Sequence, residues 1–255
     1  MEKISVAIIT KNEEENIRDC LGSVQWADEI VVVDSGSTDG TLEISRKCGA
    51  RVFQEEWKGY AAQKNSAIDK TRNEWILSLD ADERVSAELH REIEARLGAD
   101  PAADGFYIAR KNYFSDHWIR HCGWYPDFNL RLFRKSRGRF EERTVHEKVK
   151  IQGRTEKLKA PLIHRTYRSL SDFLERMDLY STLAAQEMKR QGRKVRPTDL
   201  FLRPSLTFLQ MYILQAGFLE GDRGFLLCRL YSFYTFTKYT KLREMQEHEP
   251  SVSAP

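Results

Sequence analysis

The sequence has few cysteines and no long apolar run, and each of these features argues against certain classes of protein. Its 255 residues contain four cysteines, and no two of them form a CxxC pair. This argues against a zinc site or a disulfide framework and is typical of reduced thiols in a cytosolic protein. No uninterrupted apolar stretch reaches the roughly 18 residues expected of a membrane-spanning helix. The first residues lead directly into a short strand followed by charge, so we expect no signal peptide.

The chain also carries little net charge. A net charge of +3, with 41% hydrophobic and 31% charged residues, describes an ordinary globular protein. No motif of nucleic-acid recognition is present. One zone is basic, because Lys and Arg outnumber Asp and Glu nine to four in residues 110–143. Such a zone is either a solvated face or a surface for a phosphorylated partner.

Short apolar runs alternate with amphipathic stretches over the first hundred residues, which predicts βαβ units around a mostly parallel sheet. The predicted strands cover residues 4–9, 30–33, 51–53 and 75–79. The predicted helices cover residues 14–24, a stretch ending at 47 with Ser37 or Thr38 as its cap, and residues 60–69. Looser strands follow from residue 105. Helices are then expected over residues 169–191 and, after Pro197 and Pro204, over residues 205–219 and 224–239.

Polar residues follow three of the predicted strands. They are Thr10, Asn12 and Glu13 after the first strand, Asp34 after the second, and Asp80 and Asp82 after the fourth. Ligands of such sheets bind beyond the carboxyl ends of the strands. We therefore expect these side chains to converge on one rim and to form a binding site there.

The stretch "LSLDADERVS" crowds three acids onto the end of a strand. Two ionised carboxylates one residue apart repel each other, and a divalent cation between them would relieve that repulsion. Mg²⁺ and Mn²⁺ prefer oxygen ligands and commonly bind one or two carboxylates together with substrate phosphates. The alternative is a solvated turn in which Asp82 or Ser86 caps the next helix.

Four pieces of the first ninety residues, taken together and in order, resemble the family 2 inverting glycosyltransferases, which have the GT-A fold. These pieces are "VAIITKNEEENI", "IVVVDSGSTDGT", "GYAAQKNSAI" and "ILSLDADE". Later pieces, among them "WYPDFNLRLFRK", "TVHEKV" and "QAGFLEGDRGFLL", look like the bacterial lipopolysaccharide-core branch that adds β-1,4-linked glucose to inner-core heptose.

The resemblance implies roles for the residues at the strand ends. Thr10, Asn12, Glu13 and Asp34 would line the uracil and ribose pocket of a UDP-sugar. Asp80 would approach the ribose or the water shell of the metal. Two further residues, Lys64 and Asn65 in the "QKN" motif, would approach the base, although Lys64 is equally well explained as a solvated helix lysine.

The resemblance also implies a metal ion and a general base. Asp82 would ligate Mn²⁺ or Mg²⁺ on the diphosphate, and His164 would be the second protein ligand unless it is a structural histidine. An inverting displacement needs one more carboxylate to take the proton of the acceptor hydroxyl. We favour Glu147, which His146 would orient, and place Asp127 second. The other candidates, Glu141 and Glu142, are better explained as an exposed hairpin turn.

The expected organisation is a GT-A catalytic domain over residues 1–165, with a nucleotide-sugar half (1–103) and an acceptor half (104–165). A helical extension (166–243) and a disordered tail (244–255) would follow. The apolar C-terminal helices would pack on the catalytic domain, form a homodimer interface or lie on a membrane surface. Under the membrane alternative, the basic zone of residues 110–143 would meet acceptor phosphates or acidic sugars.

The predicted function is metal-dependent, inverting transfer of a hexose, with glucose favoured, from a UDP-sugar to an anionic acceptor. That acceptor would be the lipopolysaccharide inner core or another lipid-linked saccharide at the cytoplasmic face of the inner membrane. A protein or other envelope polymer as acceptor, or a non-catalytic scaffold that binds nucleotide sugar, are the alternatives. A sugar nucleotidyltransferase is disfavoured, because "TKNEEEN" lacks the glycine-rich loop that handles a triphosphate.

Overall fold

Residues 2–99, 101–141 and 148–247 are described by a computed structural model. The chain divides into two units, one of Met1–Asn112 with Pro126–Thr166 and the other of Tyr113–Tyr125 with Tyr167–Pro255. The boundary after residue 166 lies one residue from the expected one. Residues 113–125, which we expected in the acceptor half, belong to the helical unit.

The first unit begins with the predicted alternation of strands and helices. Its elements are β1 (Ile4–Thr10), α1 (Glu14–Gly22), β2 (Glu29–Asp34), α2 (Thr41–Lys47), β3 (Arg51–Gln54), α3 (Tyr60–Asp69) and β4 (Trp75–Asp80). The four strands are parallel in the order β3-β2-β1-β4. Because the chain moves outward from β1 to β3 and then returns to the other side of β1, the crevice between β1 and β4 is a topological switch point, where such sheets bind ligands.

The sheet continues with strands that run in both directions. The further elements are β5 (Glu83–Val85), α4 (Ala87–Gly98), β6 (Gly105–Phe114), β7 (His117–Trp118), β8 (Asp127–Arg134), β9 (Gly138–Glu141), β10 (Lys148–Ile151), β11 (Thr155–Lys157) and β12 (Leu162–Tyr167). The order beyond β4 is β8-β6-β12-β5, with β8 antiparallel to β4 and to β6. β9 and β10 form a separate two-stranded sheet. The sheet is therefore mixed, with its parallel part at the start.

A short connection forces this sheet to curl. β5 lies four places from β4 in the sheet, which is about 19 Å in a flat sheet at the usual strand spacing. Only Ala81 and Asp82 join the two strands, and three residue steps span at most about 11 Å. The sheet must bend back on itself, and this bend brings β5 and its partner β12 to the end of β4.

Hydrophobic residues cover both faces of the parallel strands. In β1, Val6 and Ile8 belong to one buried cluster, which also includes residues of α1 and α4. Ala7, which points to the other face, belongs to a second cluster with residues of α3 and β9. Burial on both faces explains why these strands are apolar without alternation.

The second unit is built on three long helices. They are α5 (Leu170–Arg190), which Ser169 caps, α6 (Pro197–Leu209) and α7 (Gly221–Glu247), with a π-helical turn at Gln210–Leu214 and a 3₁₀ turn at Gly217–Glu220 between the last two. Among the described residues, no helix is both long and apolar enough to cross a membrane.

Two details of these helices differ from the predictions. Pro204, expected to precede a helix, lies inside α6, where it removes one backbone hydrogen bond. The Pro204 carbonyl accepts a hydrogen bond from the Ser232 hydroxyl at 2.9 Å. α7 continues to Glu247 and so includes residues 244–247, which we expected in the tail.

Glu220 ties residues 113–125 to the helical unit. Its buried carboxylate accepts hydrogen bonds from the backbone N–H groups of Arg120 (2.9 Å) and His121 (3.1 Å). It also contacts the rings of His117 at 2.9 Å and His121 at 2.6 Å. Burial alone would raise the pKa of Glu220, but the histidines and the backbone donors outweigh it and lower that pKa below 4.5.

We predict that Glu220→Ala lowers the free energy of unfolding by about 1–3 kcal/mol at pH 7, because two N–H groups lose their acceptor. A carboxylate with a lowered folded-state pKa contributes stability above its unfolded pKa and loses it as pH falls through the folded pKa. The difference from wild type should therefore shrink as pH falls below about 4.5. Urea denaturation of both proteins at several pH values measures this difference in the free energy of unfolding. The exposed Glu244→Ala, also on α7, is the control and should change little; an equal loss in that variant would contradict the role of Glu220.

Candidate active site

The polar residues at the strand ends converge as predicted. Thr10 pairs with Asp34 across β1 and β2, and Ile9 pairs with Asp80 across β1 and β4. The carboxyl ends of three neighbouring strands thus meet at one rim, beside the switch point. This rim belongs to the first unit.

A network of hydrogen bonds joins the loops that follow β1 and β2. The buried Asp34 carboxylate accepts hydrogen bonds from the N–H groups of Gly36 and Ser37, each at 2.9 Å, and from the Ser37 hydroxyl. The Asn12 N–H donates to the Ser37 hydroxyl oxygen at 2.8 Å, and Asn12 Oδ1 accepts from the N–H of Thr38 at 2.8 Å. Asp34 therefore shapes the loop, and its carboxylate is already bound by that loop.

These contacts correct the predicted cap of α2. Gly40 occupies the N-cap position, and no side chain caps the helix there. Ser37 and Thr38 instead bind Asp34 and Asn12. The N–H of Glu13, at the start of α1, donates to the Thr41 hydroxyl oxygen at 2.8 Å.

Two hydroxyl groups at the rim are buried without a hydrogen-bond partner among the described residues. They belong to Thr10 and Ser35. A buried polar group that makes no hydrogen bond costs free energy, so such groups commonly mark a place for water or a ligand. Thr10 is thus a suitable residue for a nucleotide pocket.

Two buried cations neutralise Asp80. Lys64 Nζ lies 2.8 Å from Asp80 Oδ1, and Arg131 Nη2 lies 2.6 Å from Asp80 Oδ2. Burial opposes ionisation of Asp80, but Arg131 and Lys64 outweigh it and hold its pKa well below 3.8. Lys64 is 4% exposed, so its interpretation as a solvated helix lysine is wrong. Its ammonium group binds Asp80 and holds the end of β4.

The ion pairs continue beyond Asp80. Arg131 also binds Glu83, whose side chain is fully buried and whose carboxylate accepts from the Asp80 N–H at 2.9 Å. Arg110 lies 3.5 Å from Glu83 and donates to Asp127 Oδ2 from Nε (2.8 Å) and Nη2 (2.5 Å). We call this set the charge network. Its members are Lys64, Asp80, Arg131, Glu83, Arg110 and Asp127, three cations and three anions.

Its place in the charge network makes Asp127 a poor general base. Burial would raise the pKa of Asp127, but Arg110 outweighs burial and lowers that pKa. Asn129 also donates to its second oxygen at 3.0 Å. A carboxylate stabilised in this way has little tendency to take a proton. The favoured base, Glu147, and the candidate Glu142 lie outside the described residues.

The side chain of Asn65 makes two structural hydrogen bonds. Its amide nitrogen donates to the carbonyl of Phe140 at 2.9 Å, and its oxygen accepts from the Phe140 N–H at 2.9 Å. These two bonds fix α3 to β9. We therefore assign Asn65 a positioning role instead of the expected contact with the base. Glu141, in the same strand, lies 3.1 Å from Lys150 across the β9–β10 hairpin.

Asp82 and His164 come together, although they are far apart in sequence. His164 Nε2 lies 3.4 Å from Asp82 Oδ2, and both residues are 8% exposed. Nδ1 of His164 faces Asn112 Oδ1 at 2.6 Å. Because an amide oxygen only accepts, Nδ1 donates its proton to Asn112, and Nε2 is the ring nitrogen that faces the carboxylate. Nε2 can therefore present a lone pair to a cation that lies between it and the carboxylate.

The donor set at Asp82 fits a divalent ion. Two ligands in adjacent positions around an ion, each about 2.1 Å away, lie about 3 Å apart, close to the observed 3.4 Å. A second hydrogen bond that fixes the tautomer is typical of a ligating histidine. No group of three or more His, Cys, Asp and Glu side chains suited to a metal occurs in the described part of the chain. Substrate oxygens would have to complete the shell.

The acidic turn does contain a helix cap, as the alternative explanation expects, but the capping residue is Ser86 and not Asp82. Ser86 caps α4, because its hydroxyl accepts from the Leu89 N–H at 3.1 Å. Asp82 does not occupy the cap position. The three acids thus have two roles: Asp80 and Glu83 belong to the charge network, and Asp82 faces His164.

Sequence reasoning missed Arg131, Arg110, Glu83 and Asn112. Arg131 lies between Leu130 and Leu132 in a strand that is buried in its middle, and a charge in such a strand must have a partner. A charged residue between two apolar residues of a strand was therefore the signal from which a buried partner of Arg131 could have been predicted. The basic zone of residues 110–143 is consequently not one free surface, because Arg110 and Arg131 are used inside the fold.

Comparison with known proteins identifies the family. The family model described as Glycosyl transferase family 2 matches residues 5–157. The chain is 30% identical over 258 residues to the lipopolysaccharide core biosynthesis glycosyltransferase LpsC of Rhizobium meliloti strain 1021, covering 98% of this chain and 96% of that protein. It is 30% identical over 266 residues to the uncharacterized glycosyltransferase RT0209 of Rickettsia typhi, covering 100% and 91%. The chain belongs to glycosyl transferase family 2 and is a glycosyltransferase.

Solved structures show the same fold. The mannosyltransferase PcManGT from Pyrobaculum calidifontis, in complex with GDP-Man and Mn²⁺, matches with a TM-score of 0.56 at 15% identity, covering 97% of this chain and 88% of that one. S. aureus TarS 1-349 in complex with UDP-GlcNAc matches with a TM-score of 0.50 at 18% identity, covering 96% and 91%. Both are GT-A structures, and the fold of this chain is GT-A, as predicted.

We predict that Arg131→Met lowers the free energy of unfolding by about 3–5 kcal/mol, because it leaves the buried Glu83 and Asp80 short of a cation. The matched control is Arg139→Met, which breaks the exposed pair with Asp69, whose two side chains are 50% and 55% exposed. That pair should contribute at most about 1 kcal/mol. Denaturant unfolding of both variants tests the prediction, and similar losses in the two would contradict it.

Proposed function

We propose that the protein is a metal-dependent inverting glycosyltransferase that moves a hexose, with glucose favoured, from a UDP-sugar to a lipid-linked saccharide. The proposal rests mainly on the contact between Asp82 and His164, whose Oδ2 and Nε2 atoms lie 3.4 Å apart. This contact lies beside the rim where β1, β2 and β4 end. Lipopolysaccharide core is the favoured acceptor, since LpsC carries that description and aligns over nearly the whole chain.

The donor nucleotide would lie at the rim. Thr10 supplies a buried hydroxyl without a hydrogen-bond partner among the described residues, and Asn12 and Glu13 follow it in the same loop. Asp34 would act by shaping the loop that receives the base, because its carboxylate already binds Gly36 and Ser37. Lys64 and Asp80 would hold that edge of the pocket in place.

Asp82 and His164 would hold Mn²⁺ or Mg²⁺ together with the diphosphate of the donor. Such an ion stabilises the negative charge that develops on the leaving group. Asn112 would keep His164 in the tautomer that presents Nε2. TarS was solved with a UDP-sugar and PcManGT with Mn²⁺, and both descriptions are compatible with this assignment.

The transfer would be a single displacement. The acceptor hydroxyl loses its proton to a carboxylate, its oxygen bonds to the anomeric carbon, and the bond from that carbon to the phosphate oxygen breaks with its electron pair going to UDP. We assign the role of proton acceptor to Glu147, the residue that directly precedes β10 in the sequence. Arg110 leaves Asp127 poorly suited to the task.

We predict that wild type slowly hydrolyses one UDP-sugar in the presence of Mn²⁺ and that EDTA abolishes this activity. In Asp82→Asn the rate should fall about 10²-fold or more, since the ion contributes several kcal/mol to stabilising the leaving group. In Asn112→Ala, the Mn²⁺ concentration for half-maximal rate should rise about 10–100-fold. UDP release from a panel of UDP-sugars measures the rates of wild type, Asp82→Asn and Asn112→Ala. The exposed Asp116→Asn is the control, and an Asp82→Asn variant as active as this control would refute the metal assignment.

An exposed apolar surface in the helical unit supports contact with a membrane. Of 17 exposed large hydrophobic side chains among the described residues, 15 lie in residues 170–236. Leu202, Leu206, Leu209 and Ile213 follow one another at helical spacing along α6 and the turn after it, and Leu214 is 81% exposed. Single exposed apolar residues are ordinary, but a concentration of this size marks an interaction site.

The charges beside this surface favour an anionic lipid surface over a second protein chain. Arg223 and Arg229 flank the exposed Phe225 and Leu226 near the start of α7. Neither arginine is ion-paired with any carboxylate of the described residues. Basic residues beside an apolar helix face are the pattern of helices that lie in a membrane interface.

We predict that wild type co-sediments with vesicles of phosphatidylcholine and phosphatidylglycerol (3:1) and that Leu214→Ser weakens this binding about tenfold, as expected for losing about 1.4 kcal/mol of apolar burial. The control, Leu179→Ser, changes an exposed leucine (53% exposed) that lies on α5, outside α6 and the turn that follows it. Equal binding of all three proteins would refute the membrane surface. A dimer that dissociates in Leu214→Ser without any vesicle binding would replace it with a homodimer interface.

A further inference from the structure

Three basic side chains surround one buried tyrosine ring in the helical unit. The ring belongs to Tyr239 on α7, which is 4% exposed. The Cζ atoms of Arg193 and Arg203 lie 5.2 Å and 5.4 Å from the ring centre, and Nζ of Lys238 lies 5.6 Å from it. We call Arg193, Arg203 and Lys238 the basic cluster. All three belong to the second unit, and none has a role in the transfer described above.

The basic cluster is assembled from three parts of the chain. Arg193 lies in the connection between α5 and α6, Arg203 lies on α6, and Lys238 lies on α7. The side chain of Gln246 on α7 fixes the connection, because its Nε2 donates to the Arg193 carbonyl at 2.6 Å and its Oε1 accepts from the Val195 N–H at 3.3 Å. The packing of the helical unit therefore holds the three cations together.

A single carboxylate neutralises part of this charge. The buried Asp199 accepts a hydrogen bond at Oδ1 from Arg203 Nε, and the same oxygen lies 3.5 Å from Arg193 Nη2. Lys238 is ion-paired with no carboxylate of the described residues. Burial, Arg203 and Arg193, in that order, lower the pKa of Lys238 below 10.5. Three cations beside one anion leave two positive charges that the described part of the chain does not compensate.

Two members of the basic cluster have donors available for a ligand. Arg193 Nε is buried and makes no hydrogen bond with any described residue. The Lys238 ammonium contacts the faces of Tyr234 and Tyr239 and also makes no hydrogen bond within residues 2–99, 101–141 and 148–247. An unsatisfied buried N–H of a cation is costly. Arginine and lysine form their strongest hydrogen bonds with oxyanions such as phosphate, which would satisfy both side chains.

The basic cluster borders the exposed leucines of α6. Residues three apart on a helix are neighbours on its surface, so Arg203 lies beside Leu206, and Leu202 directly precedes it in the chain. These two leucines are 54% and 51% exposed, in the order Leu202 and Leu206. A ligand with a phosphate at the basic cluster and an apolar part on the leucines would use both features. Lipids combine these two parts, whereas free phosphate has only one of them.

The net charge of the basic cluster favours one kind of phosphate. A phosphomonoester carries a charge of about −1.5 to −2 at pH 7, which matches the two uncompensated positive charges. A phosphodiester, such as that of phosphatidylglycerol, carries a single negative charge and would leave one cation without a partner.

We propose that the basic cluster binds the phosphomonoester headgroup of a membrane lipid, with the acyl chains on the exposed leucines of α6. The inference rests on the membrane contact proposed above and adds to it a specific site and headgroup. Arg193 and Lys238 would donate to the phosphate oxygens, and Arg203 would link the phosphate site to the apolar surface.

The first test titrates soluble dihexanoyl phosphatidic acid into the protein and measures the heat of binding. Wild type should bind it, and Lys238→Gln should bind it about tenfold more weakly, because one charge-assisted contact is lost. This variant should fold, since Lys238 makes neither a hydrogen bond nor an ion pair with the described residues. The matched control is Arg243→Gln, which removes one positive charge from the same helix at a side chain 58% exposed. No binding to wild type, or equal weakening in both variants, would overturn the proposal.

Two further ligands identify the source of the phosphate. Dihexanoyl phosphatidylcholine, which has the same chains and no net charge, should not bind. Inorganic phosphate should bind wild type at least about tenfold more weakly than dihexanoyl phosphatidic acid does, because it buries no apolar surface. Equal affinity for inorganic phosphate and for the lipid would show a site for free phosphate and would overturn the assignment to a lipid.

Vesicles separate this inference from the proposed membrane contact. Lys238→Gln should lose about tenfold in binding to vesicles that contain phosphatidic acid and less to phosphatidylglycerol vesicles of equal surface charge. An equal loss on both would overturn the assignment to a phosphomonoester. If wild type binds neither kind of vesicle, the proposed membrane contact fails, while titration of the soluble lipid still decides whether the basic cluster binds a phosphomonoester.

Discussion

Neutralisation of Asp80 by Lys64 and Arg131 is the interaction on which the geometry of the site depends. The two cations come from α3 and β8, so their bonds to one carboxylate fix the end of β4 between those elements. Arg131 also binds Glu83, and Glu83 accepts from the Asp80 N–H. The turn from Asp80 to Glu83 is thereby closed at both ends, and Asp82 lies inside it. A buried charge network of this kind is costly to break at any member, because each loss leaves an uncompensated charge.

The second requirement is the curl of the sheet. A connection of two residues joins β4 to β5, although β8, β6 and β12 lie between them in the sheet order. Only a bent sheet satisfies both facts, and the bend carries His164 on β12 to Asp82. Asn112 on β6 arrives by the same bend and fixes the histidine tautomer. The pairing of Asp82 with His164 is thus a consequence of strand order, not of any local motif.

The parallel half of the sheet could be predicted from the sequence, because each of its strands and helices has a local signal. The helix α3 was predicted over the residues it occupies, and the strands to within one or two residues. The antiparallel half could not be predicted in the same way. Arg131 and Arg110 were assigned to a basic surface, since only the register of β8 against β4 and β6 brings them to Asp80, Glu83 and Asp127. Pro204 was expected to precede a helix because propensity alone excludes it from one, yet it lies inside α6. Glu147, the favoured base, lies outside the described residues.

The charge network changes the explanation of the acidic turn. Repulsion between Asp80 and Asp82 suggested that a metal was needed by both, but the protein already compensates Asp80. The three cations and three anions of the charge network balance, which leaves Asp82 with a single negative charge for a divalent ion. An ion of charge +2 beside one carboxylate and a neutral histidine would leave one unit of positive charge uncompensated, and that arrangement is unfavourable in a partly buried site. The diphosphate of the proposed nucleotide-sugar donor would supply the missing negative charge. Electrostatics would therefore favour binding of the ion and the donor together, and an ion held by the protein alone would be bound weakly.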